Sequence, residues 1–151
     1  MDEKKAKELA QAVSDSCIAR RVRFVNRVIT NLYDRALRPL DVKTNQAGIL
    51  VWLFLHGEAG PGDISKALRM EKSTVSRNVN RMKNKGWIEI VSSDDRPTQV
   101  IKVTEEGKKL LQATYVEWTK AQKKALELLG EDGVDSVRRL YETLSEDRNQ
   151  K

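Results

Sequence analysis

Residues 72–85 read K-S-T-V-S-R-N-V-N-R-M-K-N-K, without a single acid. Val75, Val79 and Met82 recur at steps of four and three, which gathers them on one stripe of a helix. The opposite face then carries Ser73, Arg77, Asn80, Arg81 and Asn84, with Thr74 and Ser76 flanking the first turn. These side chains suit one chemistry. Arginine can make paired hydrogen bonds to guanine, and asparagine can do the same to adenine. Serine and threonine can bond to phosphates or touch thymine methyls. Lys72, Lys83 and Lys85 can neutralise phosphates. An ordinary solvated helix face mixes acids with bases into spaced ion pairs, and this one does not. The face is read as one that lies against a polyanion. The pattern by itself leaves DNA and RNA open.

The rest of the chain must present that helix. It has 151 residues, 28 Lys plus Arg against 22 Asp plus Glu, and a formal net charge of +6. One domain is the default at this length, and the excess charge favours an anionic partner. One cysteine and one histidine, with no phosphate-binding glycine loop, leave little for nucleophilic, metal or nucleotide chemistry. The expectation is a protein that is not an enzyme and has no catalytic residues, metal or cofactor. A thiol peroxidase would require an activated Cys17. The lone cysteine also excludes an internal disulfide framework and fits a reducing, cytoplasmic setting. The N-terminus is polar, and the longest apolar run, residues 47–55, is too short to span a bilayer.

Periodicity predicts the supporting elements. Ile18, Val22, Val25, Ile29, Leu32 and Ala36 form the stripe of one long helix that begins near Asp2. It ends before Pro39, because the residue preceding a proline is pushed out of helical geometry. Thr44 or Asn45 can cap a second segment running to about His56. Its nearly continuous apolar residues suit either a helix or a buried strand. A turn at residues 57–62 precedes a short helix capped by Asp63, with Ile64, Ala67 and Leu68 inward. Ser73 can cap the polar-faced helix, and Gly86 stops it. W-I-E-I-V and T-Q-V-I-K-V are strand-like, joined by the polar turn S-S-D-D-R-P. Thr104 caps a long helix whose stripe includes Leu111, Thr114, Trp118, Ala121, Ala125 and Leu128. A break at residues 130–133 precedes a last helix carrying Val137, Leu140, Tyr141 and Leu144, and the final residues are expected to fray.

Short helix, brief turn, polar-faced helix and hairpin are the parts of a helix-turn-helix followed by a wing. An arginine on the hairpin tip, Arg96, can enter a narrow minor groove, with Asp95 holding its side chain. The runs E-K-S-T-V-S-R-N-V-N-R-M-K-N-K-G-W-I-E and D-R-P-T-Q-V-I-K-V-T-E-E-G, within residues 63–107, resemble the winged helix-turn-helix of the MarR family of transcription regulators. The resemblance extends back through residues 27–50. It implies a mainly α fold with a small β-hairpin wing. Residues 41–103 would form the DNA-binding region, and residues 1–40 with 104–151 a helical dimerisation region drawn from both chain ends. It further implies a homodimer on double-stranded DNA, with Ser73, Thr74, Ser76 and Arg77 in the major groove and Arg96, supported by Asp95, in the minor groove. The family wing usually has a second basic residue after the arginine; here it is Pro97.

The resemblance implies a repressor released by a small molecule or by cysteine oxidation. Phe24, Trp52, His56 and Trp118 are candidates to line an effector cleft between the first, second and fifth helices, although core packing explains each singly. Cys17, followed closely by Arg20 and Arg21, is the redox candidate, since cations lower a thiol pKa. Two alternatives stand beside the repressor: a redox regulator switched through Cys17, and a less specific architectural DNA binder.

Overall fold

The computed structural model describes residues 2–93 and 96–146. Helices α1 (Glu3–Ser16) and α2 (Ile18–Leu37) open the chain, and a 3-10 turn follows at Arg38–Leu40. Next come α3 (Thr44–His56), α4 (Pro61–Leu68), α5 (Lys72–Asn84), strands β1 (Ile88–Ser93) and β2 (Arg96–Val103), and α6 (Glu105–Glu146). The fold is therefore mainly helical with one small antiparallel hairpin. The apolar run of residues 47–55 is helix, with Ile49, Leu50 and Leu53 fully buried. The expected fraying of the final residues lies outside the described residues.

The single long N-terminal helix expected from its stripe is instead two. Cys17 breaks it with an extended backbone, φ −67° and ψ 107°. The break is covered locally. The Cys17 N–H still donates to Val13 O at 3.0 Å, and Arg20 Nη1 donates to Ser14 O at 3.1 Å. Arg21 donates to Asp15 O. Two guanidiniums thus satisfy carbonyls that the end of α1 leaves without helical partners. The stripe from Ile18 to Ala36 lies wholly within α2, so it carries no information about the residues before it. The second boundary is as expected: α2 ends at Leu37, two residues before Pro39.

Several caps differ from the sequence reading for tertiary reasons. Lys43 is the N-cap of α3, and its N–H donates to Gln46 Oε1 at 2.9 Å. Thr44 is the first helical residue. Its N–H and hydroxyl both donate to Asp34 Oδ1 of α2, at 2.8 and 2.7 Å, so the start of α3 is pinned to the preceding helix. Asp63 lies inside α4 and accepts from the Gly60 N–H at 2.9 Å, because the helix begins at Pro61. Ser73 lies inside α5, whose N-cap is Glu71. Thr104 does cap α6, accepting from the Gly107 N–H at 3.1 Å while its hydroxyl donates to Gly86 O at 2.6 Å.

The core is assembled under the helix-turn-helix. Ile49, Leu50 and Leu53 of α3, Ile64 of α4, and Val75, Val79 and Met82 of α5 meet Leu37, Ile88 and Ile101. β1 pairs with β2 in antiparallel register, Ile88 opposite Val103 and Ile90 opposite Ile101. Ala59 adds a bridge on the free side of β2, exchanging both backbone hydrogen bonds with Ile101 at 3.2 and 2.9 Å. That bridge ties the hairpin base to the loop entering α4. Helix α6 returns along α2 and breaks at Gly130, whose φ of 66° lies in the left-handed region glycine adopts freely.

One seam fixes how α6 leaves the hairpin. A Cβ on Gly107 would sit 2.1 Å from Trp87 O and 2.8 Å from a Val103 methyl. A backbone carbonyl cannot yield as a side-chain tip can. Gly107→Ala is expected to cost about 1–3 kcal/mol by overpacking. Urea unfolding checks this, and an unchanged midpoint would mean that the start of α6 shifts freely.

Candidate nucleic-acid interface

Helix α5 has a single apolar edge, and burying it orients everything else. Val75 and Met82 are fully buried and Val79 nearly so. Ser73, Ser76, Arg77, Asn80, Arg81 and Asn84 are exposed on the other side, as the spacing predicts. Thr74 is half-buried. Its hydroxyl accepts from Arg77 Nη2 at 3.3 Å and its carbonyl accepts from Asn78 Nδ2 at 2.9 Å. Its hydroxyl is therefore engaged by Arg77 within the same helix. Displacing Ser73 from the cap leaves its hydroxyl in the first exposed turn.

The approach to α5 is a tight turn. Arg69 adopts the left-handed region, φ 50°, at the end of α4. The Met70 N–H donates to Ser65 O at 3.0 Å, and Ser65 Oγ donates to Met70 O at 2.7 Å. Arg69 Nη2 also donates to Leu144 O near the end of α6 at 2.8 Å. Of the three lysines read as phosphate partners, Lys72 and Lys83 are exposed, whereas Lys85 is ion-paired with Asp41 of the α2–α3 connection. Arg96 is the first residue of β2. Asp95 lies outside the described residues.

The four aromatic and histidine candidates for an effector cleft do not converge. Phe24 is 62% exposed on α2. Trp52 packs against the core and stacks on His56, ring centroids 4.6 Å apart, while His56 Nδ1 lies 2.9 Å from Trp52 O. These two form a helix-end pair and line no common cavity with Phe24. Trp118 alone borders a cavity of about 540 Å³ between α2, α3 and α6. Around it stand Tyr33, Val51, Leu111, Thr114 and Tyr115, and none of its lining residues is charged. Thr114 is only 7% exposed, and its Oγ1 is without a hydrogen-bond partner. Burial raises the Tyr33 phenol above its ordinary pKa, and its hydroxyl donates to Gln122 Oε1. The sequence signal for this cavity was the threonine in an otherwise apolar α6 stripe.

Cys17 is half-buried at the α1–α2 break. Arg20 and Arg21, which could have acted on its thiol, donate to the α1 carbonyls described above. Among the described residues no cluster of His, Cys, Asp and Glu has the makings of a metal site, and no helix is long and apolar enough to cross a membrane.

Residues 40–96, spanning the α2–α3 turn, the helix-turn-helix and the hairpin, match the model of the MarR family. The multiple antibiotic resistance protein MarR of Salmonella typhimurium is 28% identical over 91 residues, 60% of this chain. That match spans 63% of the relative's length. Among solved structures, a mutant MarR from E. coli complexed with operator DNA superposes with a TM-score of 0.76 at 20% identity, covering 87% of this chain and 96% of that one. The M. tuberculosis regulator MosR does so with 0.75 at 23%, covering 91% and 98%. At these identities the likeness speaks for the MarR-type winged-helix fold, which the element order and the hairpin already display.

The orphaned hydroxyl of Thr114 has a measurable consequence. Replacing a buried, unpaired hydroxyl by a methyl of the same shape removes its desolvation cost. Thr114→Val is expected to raise stability by about 1 kcal/mol. Thermal or urea unfolding checks this, and a loss of stability would mean that the hydroxyl has a partner in solution.

Proposed function

We propose that this protein is a DNA-binding transcriptional regulator of the MarR type, a homodimeric repressor that grips a pseudo-palindromic duplex and is released by a small molecule. The observation that carries the reading is the exposed face of α5, free of acids from residue 72 to 85 and seated on a buried Val75–Val79–Met82 edge. In this reading Ser73, Thr74, Ser76, Arg77, Asn80 and Arg81 meet base edges in the major groove, and Lys72, Lys83 and Lys85 meet phosphates. Arg96 of the wing, with Asp95, reaches the minor groove. Pro97 stands where a further phosphate contact would be made, so the wing relies on Arg96. That a mutant E. coli MarR of similar fold is complexed with operator DNA supports the choice of duplex DNA.

Dimerisation is assigned to residues 1–40 and 104–151, with residues 41–103 as the DNA-binding region. Its support is apolar surface at both chain ends. Ile18 is 74% and Tyr141 69% exposed, and Val13, Val22, Leu140 and Leu144 are exposed as well. Exposed apolar side chains gathered at both chain ends are what an interface between copies would cover. Two-fold symmetry then sets half-sites about one helical turn, ~10 base pairs, apart. The uncharged cavity between α2, α3 and α6 supports the release step. It touches both the dimerisation helix α2 and the scaffold helix α3, so an occupant with unequal affinity for two arrangements would bias the spacing of the recognition helices.

Selection of bound sequences from a random duplex pool, at two salt concentrations, tests the reading directly. One enriched pseudo-palindrome is the expected result; salt-sensitive binding without any motif would favour the architectural alternative. Arg77→Ala is expected to weaken binding to the selected site by about 1–3 kcal/mol and to relax base preference, whereas an unchanged footprint and affinity would remove Arg77 from the contact set. Arg96→Ala is expected to lower affinity with little effect on the preferred major-groove bases. Retention of both affinity and salt dependence would make the wing a spectator.

A further inference from the structure

The basic set of α5 has an acid attached to one end. Lys85, the C-cap of the helix, is ion-paired with Asp41, which lies 44 positions earlier in the α2–α3 connection. Asp41 is not held there by chance rotation of a loose loop. Its backbone is left-handed, φ 52° and ψ 35°, and its N–H donates to Arg38 O at 3.0 Å. The two residues border a groove of about 420 Å³, into which Arg38, Lys43, Arg81 and Asn84 also open. The other acid of that groove, Asp34, is already committed. It accepts twice from Thr44 and lies 3.7 Å from Lys43 Nζ. Lys85 holds the Asp41 carboxyl below the ordinary carboxylate pKa, so the acid stays charged at neutral pH.

We propose that Asp41 is a built-in competitor for the DNA backbone: its carboxylate occupies Lys85 in the free protein, and a phosphate of the bound duplex displaces it. The inference rests on the DNA-binding reading above and adds to it a residue that tempers affinity. Both partners are well exposed, Asp41 by 78% and Lys85 by 49%. Exposed pairs of this kind are weak and readily exchanged. A phosphate entering the groove also meets Arg81 and Arg38, which the single carboxylate leaves without an anion of their own in the groove. The exchange thus favours the duplex while subtracting the strength of one ion pair from every binding event. Such a device limits non-specific retention on DNA, where phosphate contacts supply nearly all the affinity.

Fluorescence anisotropy with a random-sequence duplex across a salt series tests this, using wild type, Asp41→Asn, Lys85→Gln and the double variant. Asparagine tolerates the left-handed backbone of residue 41, so the turn is kept. Asp41→Asn is expected to bind about threefold or more tightly at low salt, with the wild-type slope of log K against log salt retained. Lys85→Gln is expected to flatten that slope by about 0.9, the loss of one phosphate contact, and to abolish the gain from Asp41→Asn. A gain that persists in the double variant, measured against Lys85→Gln alone, would reduce Asp41 to general repulsion and overturn the proposal. So would a steeper slope in Asp41→Asn, which would mean that Lys85 stays with Asp41 in the complex. Unchanged or weaker binding by Asp41→Asn would make the pair a structural brace, and an unchanged slope in Lys85→Gln would show that Lys85 meets no phosphate. Each of these leaves the DNA-binding reading standing; failure of the wild type to bind duplex at low salt overturns both.

Discussion

The structure depends on the narrow apolar edge of α5. Three side chains, Val75, Val79 and Met82, seat that helix on α3, α4 and the hairpin base. Burying each contributes about 1.5–3 kcal/mol relative to leaving it in water. Nothing else in the helix supplies comparable stability, since its other residues are polar and a helix of this length is marginal alone. The edge therefore does two things at once. It supplies the stability, and by being so narrow it leaves the whole remaining circumference available for polar side chains.

The elements around α5 serve to hold that seat at a defined angle. Ser65 and Met70 close the turn from α4, while Thr104 joins the end of α5 to the start of α6 through Gly86. Gly107 lets α6 approach the Trp87 carbonyl closely enough for that joint to form. On the opposite side, Asp34 anchors the first residue of α3 to α2. The helix-turn-helix is thus fastened to α2 and to α6, the two helices that carry apolar surface outward. The uncharged cavity lies between α2, α3 and α6.

The differences between sequence expectation and structure have a common physical origin. Ser73, Thr44 and Asp63 are good capping residues, and each is a sound candidate for a helix start. Each instead lies inside its helix, because the start is decided by other groups: Asp34 reaching across from α2, Gly60 and Pro61 opening α4, and the Glu71 carbonyl accepting from Thr74 and Val75. The break at Cys17 has no signature in the apolar stripe, because that stripe begins only at Ile18. Of the proposed cleft residues, Trp118 borders the cavity between α2, α3 and α6, Trp52 stacks on His56, and Phe24 is exposed on α2. Aromatic type identifies side chains that can line a cavity, but not which of them share one.

What the sequence determined by itself was the composition of the polar face and its inward stripe, the stops at Pro39 and Gly86, the two strands, and the Thr104 cap. These follow from local rules, helical or strand period and the backbone limits of proline and glycine, so a short window contains them. The family resemblance was legible for the same reason, since its motifs are contiguous. Tertiary structure alone decided that Lys85 meets Asp41 and that Thr114 faces a cavity without a partner. The first joins residues far apart in the chain, and the second depends on where α2 and α3 lie against α6. In each case the outcome is set by how the helices pack, and no periodicity encodes that.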